Sequence, residues 1–180
     1  MFVQTEVTPN PNALKFIPGK AVSNNGSFEV TKKEDSNNDL VRSLLSINGV
    51  TGIFLGSDFL SVNKEEDKNW EDIKHIVISL INEHYSGGKE FIVNKEDSEK
   101  NNLNFAEIEQ KIIKILDTKI RPAVAKDGGD IKFKEFKNGI VKVELQGSCS
   151  GCPSSTMTLK QGVQNLLCHY LPEVKEVVAI

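Results

Sequence analysis

A polar segment near the middle of the chain limits what this sequence can fold into. Residues 94–103 consist almost entirely of Asn, Lys, Glu, Asp and Ser, whereas apolar residues recur regularly on both sides. Such a segment has little apolar surface to bury, which is typical of a linker between domains. We therefore predict two small domains, an N-terminal domain over residues 1–93 and a C-terminal domain over residues 104–180.

The composition argues against several classes of partner. The chain has 180 residues and a formal net charge of −3, whereas nucleic-acid binding needs a concentrated basic surface. No run of about 18 apolar residues predicts a membrane span, and the first residues lack the pattern of a secretory or organelle leader. Three cysteines cannot all pair within one chain, which is typical of a reducing compartment. We expect a cytoplasmic protein, or a mitochondrial one if a transit peptide is missing.

The N-terminal half has the pattern of several short strands and two helices. Strands are predicted at residues 2–7, 14–17, 28–30, 50–55 and 59–62, the last two as a hairpin. Apolar spacing predicts one helix from Leu40 to Ile47, with Asp39 as its cap, and a second helix from Ile73 to His84.

The C-terminal half predicts a helix, a hairpin, a cysteine-bearing loop, a second helix and a short strand. The first helix is predicted to start at a cap at Asn104 and to end or bend at Arg121-Pro122. Asn138-Gly139 separates two alternating apolar segments, which predicts a two-residue hairpin turn. Pro172 is predicted to stop the second helix, and residues 174–180 are predicted to form the last strand. Both halves together predict an α+β fold class.

Two cysteines carry the clearest chemistry. Cys149-Ser150-Gly151-Cys152-Pro153 lies between the predicted hairpin and the second helix. Pro153 suits the first turn of a helix, where free N–H groups and the positive end of the dipole favour thiolates. Gly151 permits a backbone geometry that turns both sulfurs to one side. Such a pair can hold a metal or half of a cluster, or act as a redox dithiol.

The number of ligands narrows these alternatives. Zinc and iron–sulfur clusters usually take four protein ligands, and the nearest further candidates are Cys168 and His169. A helix over residues 153–169 would place Cys168 about 24 Å along the axis from Cys152. Two chains can close a four-ligand site with two thiolates each, whereas one chain cannot. A thioredoxin-like dithiol is the main alternative, and a zinc-stabilised dimer is a third.

The remaining candidate residues favour structural roles. The three histidines have no partner at a spacing typical of a site. Asp127 and Asp130 flank two glycines, which indicates a turn rather than a metal site. Cys168 is expected to pack at or near the surface.

The C-terminal half resembles the C-terminal domain of the NifU-like (Nfu) family. The segments that carry this resemblance are Ile120-Arg121-Pro122, Asp127 to Ile131, Leu145 to Lys160 and Gly162-Val163. The first half is similar to the companion Nfu N-terminal domain through Thr8 to Phe16 and Val50 to Val62. The two resemblances together cover nearly the whole chain.

The resemblance implies a non-enzymatic iron–sulfur cluster scaffold or carrier. It implies that Cys149 and Cys152 are the ligands, and that a cluster, usually 4Fe–4S, lies between the CxxC pairs of two subunits in a homodimer. It further implies that apo iron–sulfur proteins accept the cluster and that an upstream cluster assembly system supplies it. Thiol–disulfide exchange by the same cysteines remains the alternative function.

Overall fold

The computed structural model describes residues 2–24, 26–90, 92, 106–148 and 153–180, with side chains from residue 157 onward in the last range. These ranges form a mixed fold with one five-stranded sheet, one three-stranded sheet and helices, which confirms the predicted fold class. The predicted linker at residues 94–103 and the cysteines Cys149 and Cys152 lie outside the described residues.

The five-stranded sheet and its helices form what we call the N-terminal unit. Its strands are β1 (Gln4–Val7), β2 (Ala13–Ile17), β3 (Phe28–Val30), β4 (Val50–Leu55) and β5 (Leu60–Lys64). They lie in the order β1-β2-β5-β4-β3, and every neighbouring pair is antiparallel. The predicted hairpin is confirmed as β4 and β5.

Two helices share one core with this sheet. They are α1 (Asp39–Leu45) and α2 (Trp70–Ser86), and a turn of 3-10 helix (Lys33–Asp35) precedes them. The core is formed by residues that alternate along the strands and recur along the helices, among them Leu14, Phe16, Ile53, Leu55, Leu60, Val62, Val77 and Ile81.

The cap of α1 differs from the prediction. Asn38 caps the helix, because its Oδ1 accepts a hydrogen bond from the backbone N–H of Val41 at 3.1 Å. Asp39, the predicted cap, is the first helical residue. A carboxylate there is favoured by the positive end of the helix dipole, which is a different contribution from capping.

The three-stranded sheet and its helices form the C-terminal unit. Its elements are α3 (Glu107–Ile115), a π-helical turn (Leu116–Ile120), α4 (Arg121–Lys126), β6 (Gly129–Lys137), β7 (Ile140–Gly147), α5 (Pro153–Tyr170) and β8 (Glu176–Ala179). β7 lies between β6, which is antiparallel to it, and β8, which is parallel to it. The aliphatic core includes Ile112, Leu116, Ile131, Val141, Val163, Leu167 and Val177.

Both ends of the first helical segment of this unit were predicted from the sequence. The predicted cap, Asn104, lies outside the described residues; Ala106 precedes α3, and the Glu109 side chain accepts a hydrogen bond from the Ala106 N–H at 2.9 Å. The predicted break at Arg121-Pro122 is confirmed, because the π-helical turn ends at Ile120 and a separate helix, α4, runs from Arg121 to Lys126. A proline is tolerated there, since the N–H groups of the first helical turn have no intrahelical partner.

The predicted hairpin turn and helix end are confirmed. Asn138 and Gly139 have φ angles of 52° and 79°, as a two-residue turn between β6 and β7 requires. α5 ends at Tyr170, two residues before Pro172. In the part of the chain that the structure describes, no helix has the length and apolar character to cross a membrane.

Candidate functional site at the CxxC loop

The two flanks of the CxxC loop are defined by the structure. β7 ends at Gly147, and α5 begins at Pro153, the residue after Cys152. This order of strand, cysteines and helix agrees with the order predicted from the sequence. The first turn of a helix carries free N–H groups and a partial positive charge, and such an environment favours thiolates over thiols.

Cys168 lies near the far end of α5. At 1.5 Å per residue, it is about 22 Å along the helix axis from Pro153. It is half-buried and packs against the aliphatic core, which confirms the predicted packing role. Among the described residues, no group of three or more His, Cys, Asp or Glu side chains could hold a metal ion.

The segment Asp127-Gly128-Gly129-Asp130, which we call the glycine-rich turn, packs against the end of β7 that leads to Cys149. The Ser148 N–H donates to the Gly128 carbonyl at 3.3 Å, and the Ser148 hydroxyl donates to the Asp127 carbonyl. Gly147 has a φ of 68°, and a Cβ added there would lie 2.6 Å from the Gly128 oxygen. Gly128 has a φ of 81°, and its Cβ would lie 2.7 Å from the Ser61 hydroxyl oxygen. Both positions therefore need glycine.

A row of side chains across the N-terminal sheet faces this turn and strand end. We call it the cross-sheet row, and it consists of Lys15, Ser61, Phe54 and Glu29 on β2, β5, β4 and β3. Each member is the register partner of the next. Residues on either side of these positions belong to the core on the opposite face, because side chains alternate along a strand.

Each member of the cross-sheet row contacts the C-terminal unit. The Lys15 ammonium donates to the Lys126 carbonyl at 3.5 Å. The fully buried Ser61 hydroxyl donates to the Gly128 carbonyl at 2.7 Å. Phe54 is 1% exposed, and its ring lies against Gly147, since a Cβ on Gly147 would be 3.0 Å from the ring.

Gly147 is bonded to the N-terminal unit through both of its backbone polar groups. Its N–H donates to the Glu29 carboxylate at 3.2 Å. Its carbonyl accepts a longer hydrogen bond from the Asn63 amide at 3.4 Å. The residue two positions before Cys149 is therefore held by a different part of the chain.

A charged pair lies beside these contacts. Asp130 is 4% exposed and accepts two hydrogen bonds of 2.9 Å from Arg121, which also pairs with Asp117 at 3.0 Å. The Ser27 hydroxyl of the N-terminal unit donates to Asp130, and Lys132 donates to the Ser27 carbonyl at 2.8 Å.

The environment of Asp130 shifts the pKa of both partners. Burial alone would raise the pKa of Asp130, but the hydrogen bonds from Arg121 and Ser27 outweigh it and hold that pKa below its usual value. The hydrogen bond with Asp130 raises the pKa of Arg121. The carboxylate and the guanidinium are therefore both charged at neutral pH.

The contacts between the two units were not predicted from the sequence. Asp130 was predicted to be a turn residue rather than a charged contact, and no residue of the cross-sheet row was predicted to have a role at the site. One signal was available, because Val50–Leu55 is a nearly continuous apolar run rather than an alternating one. Such a run indicates a strand that is buried on both faces.

Comparison with known proteins confirms the family resemblance. Residues 3–88 match the family described as "Scaffold protein Nfu/NifU N terminal", and residues 112–178 match the "NifU-like domain". The human "NFU1 iron-sulfur cluster scaffold homolog, mitochondrial" is 43% identical over 180 residues, which cover 98% of this chain and 71% of that protein. The chain belongs to the NifU-like (Nfu) family.

Other relatives carry similar names. "NifU-like protein 4, mitochondrial" of Arabidopsis thaliana is 40% identical over 184 residues, which cover 98% of this chain and 65% of that protein. The chain thus spans about two thirds of the length of such relatives. A solution NMR structure of a NifU-like protein from Saccharomyces cerevisiae is 27% identical and has a TM-score of 0.49, with 53% of this chain and 87% of that chain covered. Scaffold is the role that the N-terminal family description and the name of the human relative state, in agreement with the predicted non-enzymatic function.

Proposed function

We propose that this protein is an iron–sulfur cluster scaffold that holds its cluster on Cys149 and Cys152. The observation that carries this proposal is the position of the motif, directly between the end of β7 and the start of α5. Thiolates at a helix N-terminus are stabilised by the dipole, and thiolates are the ligands that iron–sulfur clusters prefer. The cluster is cargo in this proposal.

Two subunits share the cluster in this proposal. A cluster usually takes four protein ligands, and each chain offers two cysteines at this loop. Cys168 cannot supply a third, because α5 separates it by about 22 Å from Pro153. The loaded form is then a homodimer with a 4Fe–4S cluster between two CxxC pairs.

Transfer proceeds by ligand exchange. A thiolate of an apo iron–sulfur protein forms a bond to one iron, and the bond from that iron to Cys149 or Cys152 breaks. The cysteine leaves as a thiolate, so each step exchanges one anionic ligand for another and needs no oxidant or reductant. An upstream cluster assembly system supplies the cluster.

The proposed domain organisation follows the polar segment. The N-terminal domain comprises residues 1–93, the linker residues 94–103 and the cluster-binding domain residues 104–180. Thiols stay free in a reducing compartment. This description fits the cytoplasm and also mitochondria, where the names of the relatives place them.

Anaerobic reconstitution of the full chain tests the proposal. The purified protein is treated with iron and sulfide, and then iron, acid-labile sulfide, visible absorption and mass by light scattering are measured. We expect a coloured dimer with about four irons, as one 4Fe–4S cluster per dimer requires. A fully loaded monomer would contradict the shared site. A colourless protein that turns over disulfides indicates the dithiol oxidoreductase, and a zinc-bound dimer without iron indicates the zinc module.

A further inference from the structure

The polar contacts between the two units gather at the base of the CxxC loop. In the part of the chain that the structure describes, six hydrogen bonds from the N-terminal unit or to it fall on residues 126–132 and on Gly147 in the C-terminal unit. These segments are the glycine-rich turn and the end of β7. The N-terminal unit therefore contacts the C-terminal unit where the chain turns toward the cysteines.

The cross-sheet row restrains both the glycine-rich turn and the end of β7. Ser61 holds the Gly128 carbonyl, and that carbonyl also accepts from the Ser148 N–H. Glu29 holds the Gly147 N–H, and the buried Phe54 ring lies against Gly147. Hydrogen bonds that are shielded from water are stronger than exposed ones. The peptide group between Gly147 and Ser148 is therefore held in place by contacts with the N-terminal unit.

Glycine makes this restraint necessary. Gly128 and Gly147 lack side chains that could pack in their own unit, and both adopt a left-handed backbone. Glycine leaves a chain with more conformational freedom than other residues do. Because these glycines have no side chains to pack, contacts from Ser61, Glu29 and Phe54 limit their motion instead.

We propose that Ser61 and Glu29 are positioning residues for the CxxC loop. The N-terminal unit acts as a clamp that limits the motion of Gly147 and Ser148, the residues that lead into the CxxC motif, and thereby slows the loss of a cluster. This inference rests on the proposed function. It assigns to the N-terminal unit a role in holding the cluster, in addition to any contact with acceptors.

The test uses the full chain with Cys168→Ser, so that only Cys149 and Cys152 can react. The variants Ser61→Ala and Glu29→Ala each remove one clamp bond. Glu29→Gln keeps an oxygen that can accept from the Gly147 N–H. Ser46→Ala and Glu66→Ala are matched controls at exposed positions of the N-terminal unit.

Two rates are measured for each variant. One is the reaction of the apo protein with a chromogenic thiol reagent, and the other is the loss of visible absorption when the loaded protein meets an iron chelator. We expect Ser61→Ala and Glu29→Ala to raise both rates about fivefold, the factor for one net hydrogen bond. We expect Glu29→Gln to restore the parent rates and the controls to leave them unchanged.

Each outcome decides the proposal. Rates for Ser61→Ala and Glu29→Ala equal to those of the controls would overturn the clamp, and cluster uptake by the same proteins would leave the proposed function intact. If the parent takes up no cluster, the proposed function fails and the thiol reaction still tests the clamp. If circular dichroism shows that Ser61→Ala is unfolded, the comparison of Glu29→Ala with Glu29→Gln decides.

Discussion

The two units differ in how far each can restrain its own backbone. The N-terminal unit has five antiparallel strands and a core that includes Phe16, Ile53 and Leu55. The C-terminal unit has three strands and an aliphatic core. Glycines stand at the start of β6 and at the end of β7, where the cysteine loop begins. These strand ends are less restrained by their own unit, and the N-terminal unit covers them. In our proposal, the ligand residues and the residues that position them therefore belong to different units.

The largest expected effect concerns the cysteines of the C-terminal unit. Cys149→Ser or Cys152→Ser should abolish stable cluster binding, because only two thiolates per dimer would remain. Cys168→Ser should bind a cluster as the parent does, because α5 separates it from the loop. Iron content and visible absorption after anaerobic reconstitution measure both. Loss of the cluster in a folded Cys168→Ser protein would show that the separation along α5 does not protect the site.

Glycine replacements test whether the end of β7 is packed as tightly as its contacts indicate. Gly147→Ala should lower the free energy of unfolding by about 3 kcal/mol, because a left-handed alanine is strained and its Cβ would meet backbone atoms. Gly162→Ala is the matched control in α5, where a Cβ meets open space, and it should add about 0.5–1 kcal/mol. Urea unfolding measures both. Equal stabilities for the two variants would contradict tight packing around Gly147.

The Arg121–Asp130 pair makes the contact between the units sensitive to acid. The folded state depresses the pKa of Asp130, so its stabilisation is present above the unfolded pKa of about 4 and is lost as pH falls through the lower folded value. The groups that face it are Arg121, Ser27 and, nearby, Asp117 and Lys132.

Asp130→Asn should therefore flatten the acid limb of the stability curve. At neutral pH it should lower the free energy of unfolding by about 2 kcal/mol, because Arg121 loses a buried partner. The cost is not larger because Arg121 is itself partly exposed to solvent. Asp67→Asn, at an exposed carboxylate, should keep the acid limb of the parent. Thermal unfolding from pH 7 down to about pH 3 measures the curves. An unchanged acid limb in Asp130→Asn would exclude this pair as its source.

Separating the units gives the smallest expected effect. A fragment of residues 104–180 contains its own core and both proposed ligands, so it should take up a cluster, although a unit of this size is only marginally stable. It should release that cluster to a chelator about 25-fold faster than the full chain, because the bonds from Ser61 and Glu29 are both missing and each accounts for about fivefold. A fragment of residues 1–93 has no cysteine and should bind none. A folded C-terminal fragment that cannot hold a cluster would show that the N-terminal unit completes the site itself.

Much of the fold follows from local patterns in the sequence. Alternation and the Asn138-Gly139 turn predicted the β6–β7 hairpin, and apolar spacing predicted α2 and α5 within a few residues. The cap of α1 was missed, since Asn38 and Asp39 are both good N-terminal residues and only the backbone geometry separates their roles. This is an error of one residue at the end of an element.

The contact between the units could not be predicted in the same way. A single strand pattern reports that Phe54 is buried on the second face, but it does not report what buries it. Glu29 lies on a strand of three residues, which is too short to give a clear alternation. The register that aligns Lys15, Ser61, Phe54 and Glu29 arises only when four strands pair, and no local pattern encodes that alignment.

The parallel pairing of β8 with β7 has a consequence for how the protein acquires its structure. Ile140 pairs with Glu176, so the loop that this pairing closes contains the CxxC motif and the whole of α5. Non-local parallel pairings form late, because the entropy of closing a long connection is lost before the contact forms. We expect the refolding rate of the C-terminal unit to be set by this closure. In a newly made chain, the cysteines would then reach their final surroundings only in the last folding step.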